Sequence, residues 1–234
     1  MRSMCRRIFV GLLGVALLVG VAYLQGGHTA SASKELTFPK ELTFSGVQTK
    51  RVKTPRERLA ERSFPNVTLT THEGKKVRFY DDLIKDKIVL INFMYVKCEG
   101  ICPGTTANLL KVQKLLGDRV GKDIFMYSIT LKPEEDTPSV LNRYAKAYKT
   151  KPGWLFLTGD PKDVELLRQK LGFIDRDPVR DANKSNHIGM LRFGNEPLTL
   201  WAGCPGLLGP SKIVKEIALV DWPPAEEARR GGNR

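Results

Sequence analysis

Cys98 and Cys102 enclose three residues in Cys98-Glu99-Gly100-Ile101-Cys102-Pro103, and two thiols at that spacing have two chemical uses. They can close into a disulfide, or as thiolates they can hold a soft ion, Cu(I) or Zn(II), in preference to harder ones. A static disulfide is the plain alternative, but so short a loop gains little from closure. Pro103 suits the first position of a helix, which puts Cys102 at the N-cap, where free backbone N–H groups and the helix dipole favour a thiolate and lower its pKa. His187 follows an irregular stretch, residues 175–186, and opens a later apolar run. Imidazole is a competent ligand for such metals, and a histidine at a strand start also serves as an ordinary polar residue. His72, in a turn beside Gly74, and His28, in the N-terminal stretch, are weaker candidates. Of the four cysteines, Cys5 precedes an apolar run, and Cys204 is left without a partner. Cys204 is expected to be a buried, inert thiol, with a third redox role or an intermolecular bridge as the alternative. Met94, Met126 and Met190 lie in apolar strands and read as core.

These groups need elements to hold them. Residues 67–70 and 77–79, separated by Glu73-Gly74, predict a hairpin, and residues 88–95 form an apolar run suited to a central strand buried on both faces. The cysteines come directly after it, at a strand end. Leu109, Leu110, Val112, Leu115 and Leu116 then fall at helical spacing, closed by Gly117. A second buried strand is predicted at 124–129, a helix from Thr137-Pro138 to about Tyr148, a short strand at 154–157, and a helix from Asp160-Pro161 to near Gly172. Residues 188–193 and 198–201 read as a hairpin turning at Gly194-Asn195, and a last helix spans about 211–219. This alternation predicts an α/β fold with a central mixed sheet and helices on both faces.

Outside this pattern lie two tails. Residues 8–24 are an uncharged apolar run preceded by Arg2, Arg6 and Arg7, read as a membrane anchor, with a cleaved signal ending at Ala30-Ser31-Ala32 as the alternative. Either way the arginines hold the N-terminus in the cytoplasm, and the domain faces the outer, oxidising side of the cytoplasmic membrane. Residues 1–24 are thus the membrane segment, 25–62 a linker rich in Ser, Thr, Lys and Pro, 63–222 one domain, and 223–234 a flexible tail. A hydrophobic fraction of 41% with 27% charged residues argues against disorder and against a multi-spanning protein. The net charge of +13 comes from scattered Lys and Arg, which reads as a solvated surface. An exported protein meets no nucleic acid, and none is expected as a partner.

Phe93-Met94-Tyr95-Val96-Lys97-Cys98-Glu99-Gly100-Ile101-Cys102-Pro103 resembles the metal-binding segment of the Sco/SenC family. Ser128-Ile129-Thr130, Asp136-Thr137-Pro138, Tyr144-Ala145 and Gly153-Trp154-Leu155-Phe156-Leu157-Thr158-Gly159 resemble later blocks of the same family, in the same order. The resemblance implies a thioredoxin-like fold in which Cys98, Cys102 and the matching histidine, His187, bind copper for delivery to cytochrome c oxidase. Two departures stand out. The family's Asp and Ser around the histidine are Asn186 and Ile188 here, and its Asp-Pro-x-Gly turn is replaced by Gly194-Asn195-Glu196-Pro197. The first removes a carboxylate that would orient the ligands.

Function is therefore expected to be that of a metallochaperone rather than an enzyme: a copper-binding redox protein that supplies copper to an oxidase subunit or maintains its thiols. A thiol reductant of the thioredoxin type is the expected second partner. The alternative is an extracytoplasmic thiol-disulfide oxidoreductase or redox sensor, with Cys98 attacking and Cys102 resolving.

Overall fold

The computed structural model describes residues 51–184 and 189–221. The expected membrane segment, residues 223–234, His28 and His187 lie outside the described residues. Among the described residues no helix is long and apolar enough to cross a membrane.

Seven strands form one mixed sheet in the order β2-β1-β5-β4-β3-β6-β7. The hairpin β1 (Thr68–Thr71) and β2 (Lys76–Arg78) occupies one edge, as expected, and β7 (Leu200–Pro205) forms the other. At the centre, β3 (Ile88–Met94) runs parallel to β4 (Ile124–Thr130), and β4 parallel to β5 (Trp154–Gly159). β6 (Met190–Asn195) is antiparallel to β3. Six of the seven residues of β3 are buried, on both faces, because helices cover both sides of the sheet. α2 (Ile101–Leu116) lies beside α6 (Pro210–Ala218), and α3 (Pro138–Ala147) and α4 (Pro161–Lys170) lie against β5. A buried polar chain pins the register at the centre: Trp154 Nε1 donates to Ser128 Oγ at 2.9 Å, and Ser128 donates to Asn92 Oδ1 at 2.7 Å. Caps at Thr137 and Asp160 start α3 and α4 as predicted.

Three expectations need correction. The end of the predicted linker is a helix, α1 (Pro55–Ser63), closed by a capping box in which Thr54 and Glu57 satisfy each other's backbone N–H. It belongs to the domain: Phe64 is buried against Trp201, with ring centroids 4.5 Å apart, and Arg56 binds Glu196. Secondly, Gly194 and Asn195 are strand residues, and the turn lies at residues 196–199, where Thr199 N–H donates to Glu196 O at 3.0 Å. Gly194 is required by the indole of Trp201, whose ring would lie 2.3 Å from an added Cβ. Glu196 fixes the turn by accepting from Arg56 Nε at 2.8 Å, Tyr80 OH at 2.9 Å and Asp86 N–H at 2.8 Å. Thirdly, the stretch read as irregular before His187 contains a short helix, α5 (Pro178–Ala182), capped by Asp177.

α5 is held to α4 through Arg168, which is 4% exposed. Its guanidinium donates to both oxygens of Asp181 at 2.6 and 2.5 Å, to Glu165 at 2.7 and 3.0 Å, and to Phe173 O at 2.8 Å. Hydrogen bonds from Arg168 hold the Glu165 and Asp181 carboxyls down to about 2. Both pKa values are depressed in the folded chain, so their stabilisation is complete above the unfolded carboxyl range near 4 and is lost as pH falls through about 2. Arg168→Met should cost about 2 to 3 kcal/mol at pH 7, at the low end for breaking a buried pair because Asp181 keeps contact with water. Urea unfolding of wild type and variant between pH 5 and pH 2 checks this, and the gap between them should shrink toward the acid end.

Candidate redox and metal centre

β3 delivers the chain to the carboxyl end of the parallel strands, where ligand sites of α/β sheets collect. Leu131 N–H donates to Met94 O at 2.8 Å, closing the last rung, and the chain then turns, with Cys98 N–H donating to Tyr95 O at 3.3 Å. α2 begins at Ile101 with Gly100 as its N-cap, so Cys102 is the second helical residue and Pro103 the third. The expectation of Cys102 at the N-cap is thereby corrected. Proline is tolerated at the third position because the N–H groups of a first turn have no intrahelical acceptor. The side chain of Ile101 packs on Gly189, where an added Cβ would lie 2.1 Å from Ile101 Cδ1, and this contact ties the helix start to the approach to β6.

Cys98 and Cys102 are free thiols, 5% and 2% exposed. Their pKa values separate in opposite directions. Burial opposes ionisation of Cys98, but hydrogen bonds from Cys102 Sγ, from the backbone N–H of Cys102 and Gly100, and from Tyr95 outweigh it and hold the thiol below its ordinary value. For Cys102, burial and the proton shared with Cys98 push the thiol well up. The predicted lowering therefore belongs to Cys98. The free N–H groups of the helix start do stabilise a thiolate, but the sulfur in front of them is that of the earlier cysteine.

A carboxylate that sequence reasoning passed over stands beside the pair. Asp136 is 2% exposed, accepts from Thr130 Oγ1 at 2.6 Å and from Val96 N–H at 3.1 Å, and its charge helps to raise Cys102. Burial raises the carboxyl of Asp136 itself. Asn186 replaces one carboxylate of the resemblance, while Asp136 comes from another element, visible in the sequence only as the residue before the Thr137-Pro138 cap. Tyr144 closes this side through a 2.9 Å hydrogen bond with Thr106.

The remaining candidates separate clearly. His72 accepts from Phe156 N–H at 3.2 Å through Nδ1 and sits edge-on to the Phe156 ring, a structural role far from ligation. Cys204 is buried, and burial with the nearby Glu216 pushes its thiol up to about 11, as expected of an inert residue. Met94 and Met126 are core residues, whereas Met190 is only half-buried and lines a cavity. Among the described residues no group of three or more His, Cys, Asp or Glu side chains is placed to hold a metal ion. Cys98 and Cys102 alone are a two-sulfur donor set, matched in softness to Cu(I).

The SCO1/SenC family model matches residues 56–190. The SCO1 protein homolog of Bacillus subtilis is 33% identical over 93 residues, covering 39% of this chain and 47% of that protein. The chain thus spans about half the length of the curated relatives it matches. Among solved structures, copper-bound ScoI of Bradyrhizobium japonicum superposes with a TM-score of 0.53 at 21% identity, covering 65% of this chain and 96% of that one. BsSco, described as carrying a disulfide switch and as a member of the Sco family of cytochrome c oxidase assembly proteins, gives a TM-score of 0.54 at 24% identity over 66% and 90% of the two chains. These likenesses establish the thioredoxin-like mixed α/β fold.

The split pKa values predict unequal reactivity. Under limiting iodoacetamide at pH 7, mass mapping should find Cys98 alkylated before Cys102. Cys102→Ala removes an S–H donor and should raise Cys98 toward the ordinary thiol value of about 8.5, slowing its alkylation. Equal labelling of both thiols would contradict the assignment.

Proposed function

This chain belongs to the SCO1/SenC family, and on that premise we propose that Cys98, Cys102 and His187 bind one copper ion as cargo and pass it to a subunit of a respiratory oxidase during cytochrome c oxidase assembly. The observation that carries the reading is the pair of buried sulfurs at the start of α2, one with its pKa held down and the other hydrogen-bonded to it with its pKa pushed up. Two such buried sulfurs suit Cu(I). The third ligand is assigned from the family resemblance and from chain connectivity. Gly189 touches Ile101, between the two cysteines, and the two residues from His187 to Gly189 span at most about 7 Å.

Ligand exchange at a two-sulfur, one-nitrogen site lets a partner's own donors enter before the last sulfur leaves. Joining Cys98 to Cys102 by a disulfide removes both sulfur donors, so a thiol reductant of the thioredoxin type is the second partner. The domain works on the extracytoplasmic face of the cytoplasmic membrane, tethered by residues 8–24, with cleavage after Ala32 as the other outcome.

The lowered Cys98 thiol also favours a second reading, thiol-disulfide exchange. There the Cys98 thiolate attacks a target disulfide and releases one target thiolate, and Cys102 then displaces the second as the internal disulfide closes. The two readings differ in what they require of copper.

Full-length chain reduced anaerobically, loaded with Cu(I) and desalted should retain about one copper per chain, and Cys98→Ser or Cys102→Ser should each lower affinity at least about tenfold. Prior oxidation of the pair should abolish retention. Copper-free chain that instead turns over a disulfide substrate catalytically would move the assignment to the oxidoreductase.

A further inference from the structure

A cavity of about 270 Å³ opens between the end of α4 and the β6–β7 hairpin, lined by Leu171, Gly172, Phe173, Met190, Arg192 and Trp201. Strand register puts its two polar members on one face, since Arg192 pairs with Gly203 and Gly194 with Trp201. The guanidinium of Arg192 lies 5.7 Å from the Trp201 ring centroid. One of its arms is committed: Nη1 donates to Leu171 O at 2.7 Å, capping the carbonyl end of α4, where a cation is welcome.

The rest of the charge is not balanced. Among the described residues, Arg192 Nε and the indole Nε1 of Trp201 are both buried without a hydrogen-bond acceptor. Arg56, Arg119 and Arg168 each meet carboxylates, but none of the described carboxylates forms an ion pair with Arg192. Burial lowers its pKa. Arg192 is only partly buried as a residue, but two orphaned donors beside a cavity mark where an acceptor belongs. The volume is close to the lower end, about 300 Å³, of small-molecule sites, which suits a short ligand.

We propose that this cavity binds a carboxylate carried on a short apolar chain, with Arg192 and Trp201 donating to its oxygens and Phe173 and Met190 packing on the chain. Met190 adjoins Gly189, which touches Ile101, so the cavity begins one residue from the cysteine loop. The same chemistry describes a free short-chain carboxylic acid and a Glu or Asp side chain of a protein docked over that loop. The proposal is independent of copper.

Tryptophan emission of the full-length chain, titrated with pentanoate, with pentanamide, and with a blocked peptide holding a single Glu, tests it. Saturation with pentanoate supports the site and identifies a free acid as a ligand, saturation with the peptide alone supports it and identifies a protein carboxylate, and pentanamide should give neither. Arg192→Gln should weaken binding at least about tenfold, and Arg192→Lys less. Met190→Glu would supply the carboxylate from within the chain, so it should raise the melting temperature and block external pentanoate even if Arg192→Gln folds poorly. No saturation with any carboxylate, an equal response in Arg192→Gln, or a Met190→Glu chain that melts lower and still binds pentanoate would each overturn the proposal.

Discussion

A thiol almost wholly removed from water has a lowered pKa only where fixed donors replace the hydration its charged form would lose, and at Cys98 those donors are the backbone N–H groups of Gly100 and Cys102 at the start of α2, Tyr95 and the thiol of Cys102. That requirement organises much of the domain. The helix must start at Ile101, two residues after the turn that leaves β3, so that Gly100 and Cys102 present their N–H groups to the sulfur. Moving the start by one residue would aim different donors. The Ile101 contact with Gly189 anchors the start of the helix in this register.

The central sheet supplies the rigidity behind that turn. β3 is flanked by β4 and β6 and covered on both faces, so its last residues have little freedom to shift, and the Asn92–Ser128–Trp154 chain resists slippage between β3, β4 and β5. Asp136, fixed by Thr130 at the end of β4 and by Val96 just past β3, adds a carboxylate whose charge reinforces burial and the Cys98 hydrogen bond in pushing Cys102 up, while Cys98 is held down. Thiols whose pKa values are drawn apart in this way are equally suited to metal entry and to attack on a disulfide. Geometry of the pair alone does not choose between them.

Legibility in the sequence followed the strength of local signals. The central strands, the caps at Thr137 and Asp160 and the two cysteines could be read directly because periodicity and capping are local properties. α1 was also legible, since Thr54, Pro55 and Glu57 spell a capping box, but the polar composition around it masked the signal. The β6–β7 turn was misplaced for a different reason: Gly194-Asn195 is a turn dipeptide by type, whereas Gly194 is needed for a tertiary contact with Trp201. Asp136 and the choice of Cys98 rather than Cys102 as the thiol held down depend on which N–H groups face which sulfur, and on residues 34 to 38 positions away, which spacing cannot reveal.

X-ray absorption at the copper edge, on full-length chain loaded with Cu(I), tests the central claim most directly because it counts donor atoms whatever the acceptor protein is. Two sulfur scatterers and one nitrogen are expected, with the nitrogen lost in His187→Ala and both sulfurs kept. A copper shell without two sulfurs, or a nitrogen that survives the loss of His187, would contradict the site as described.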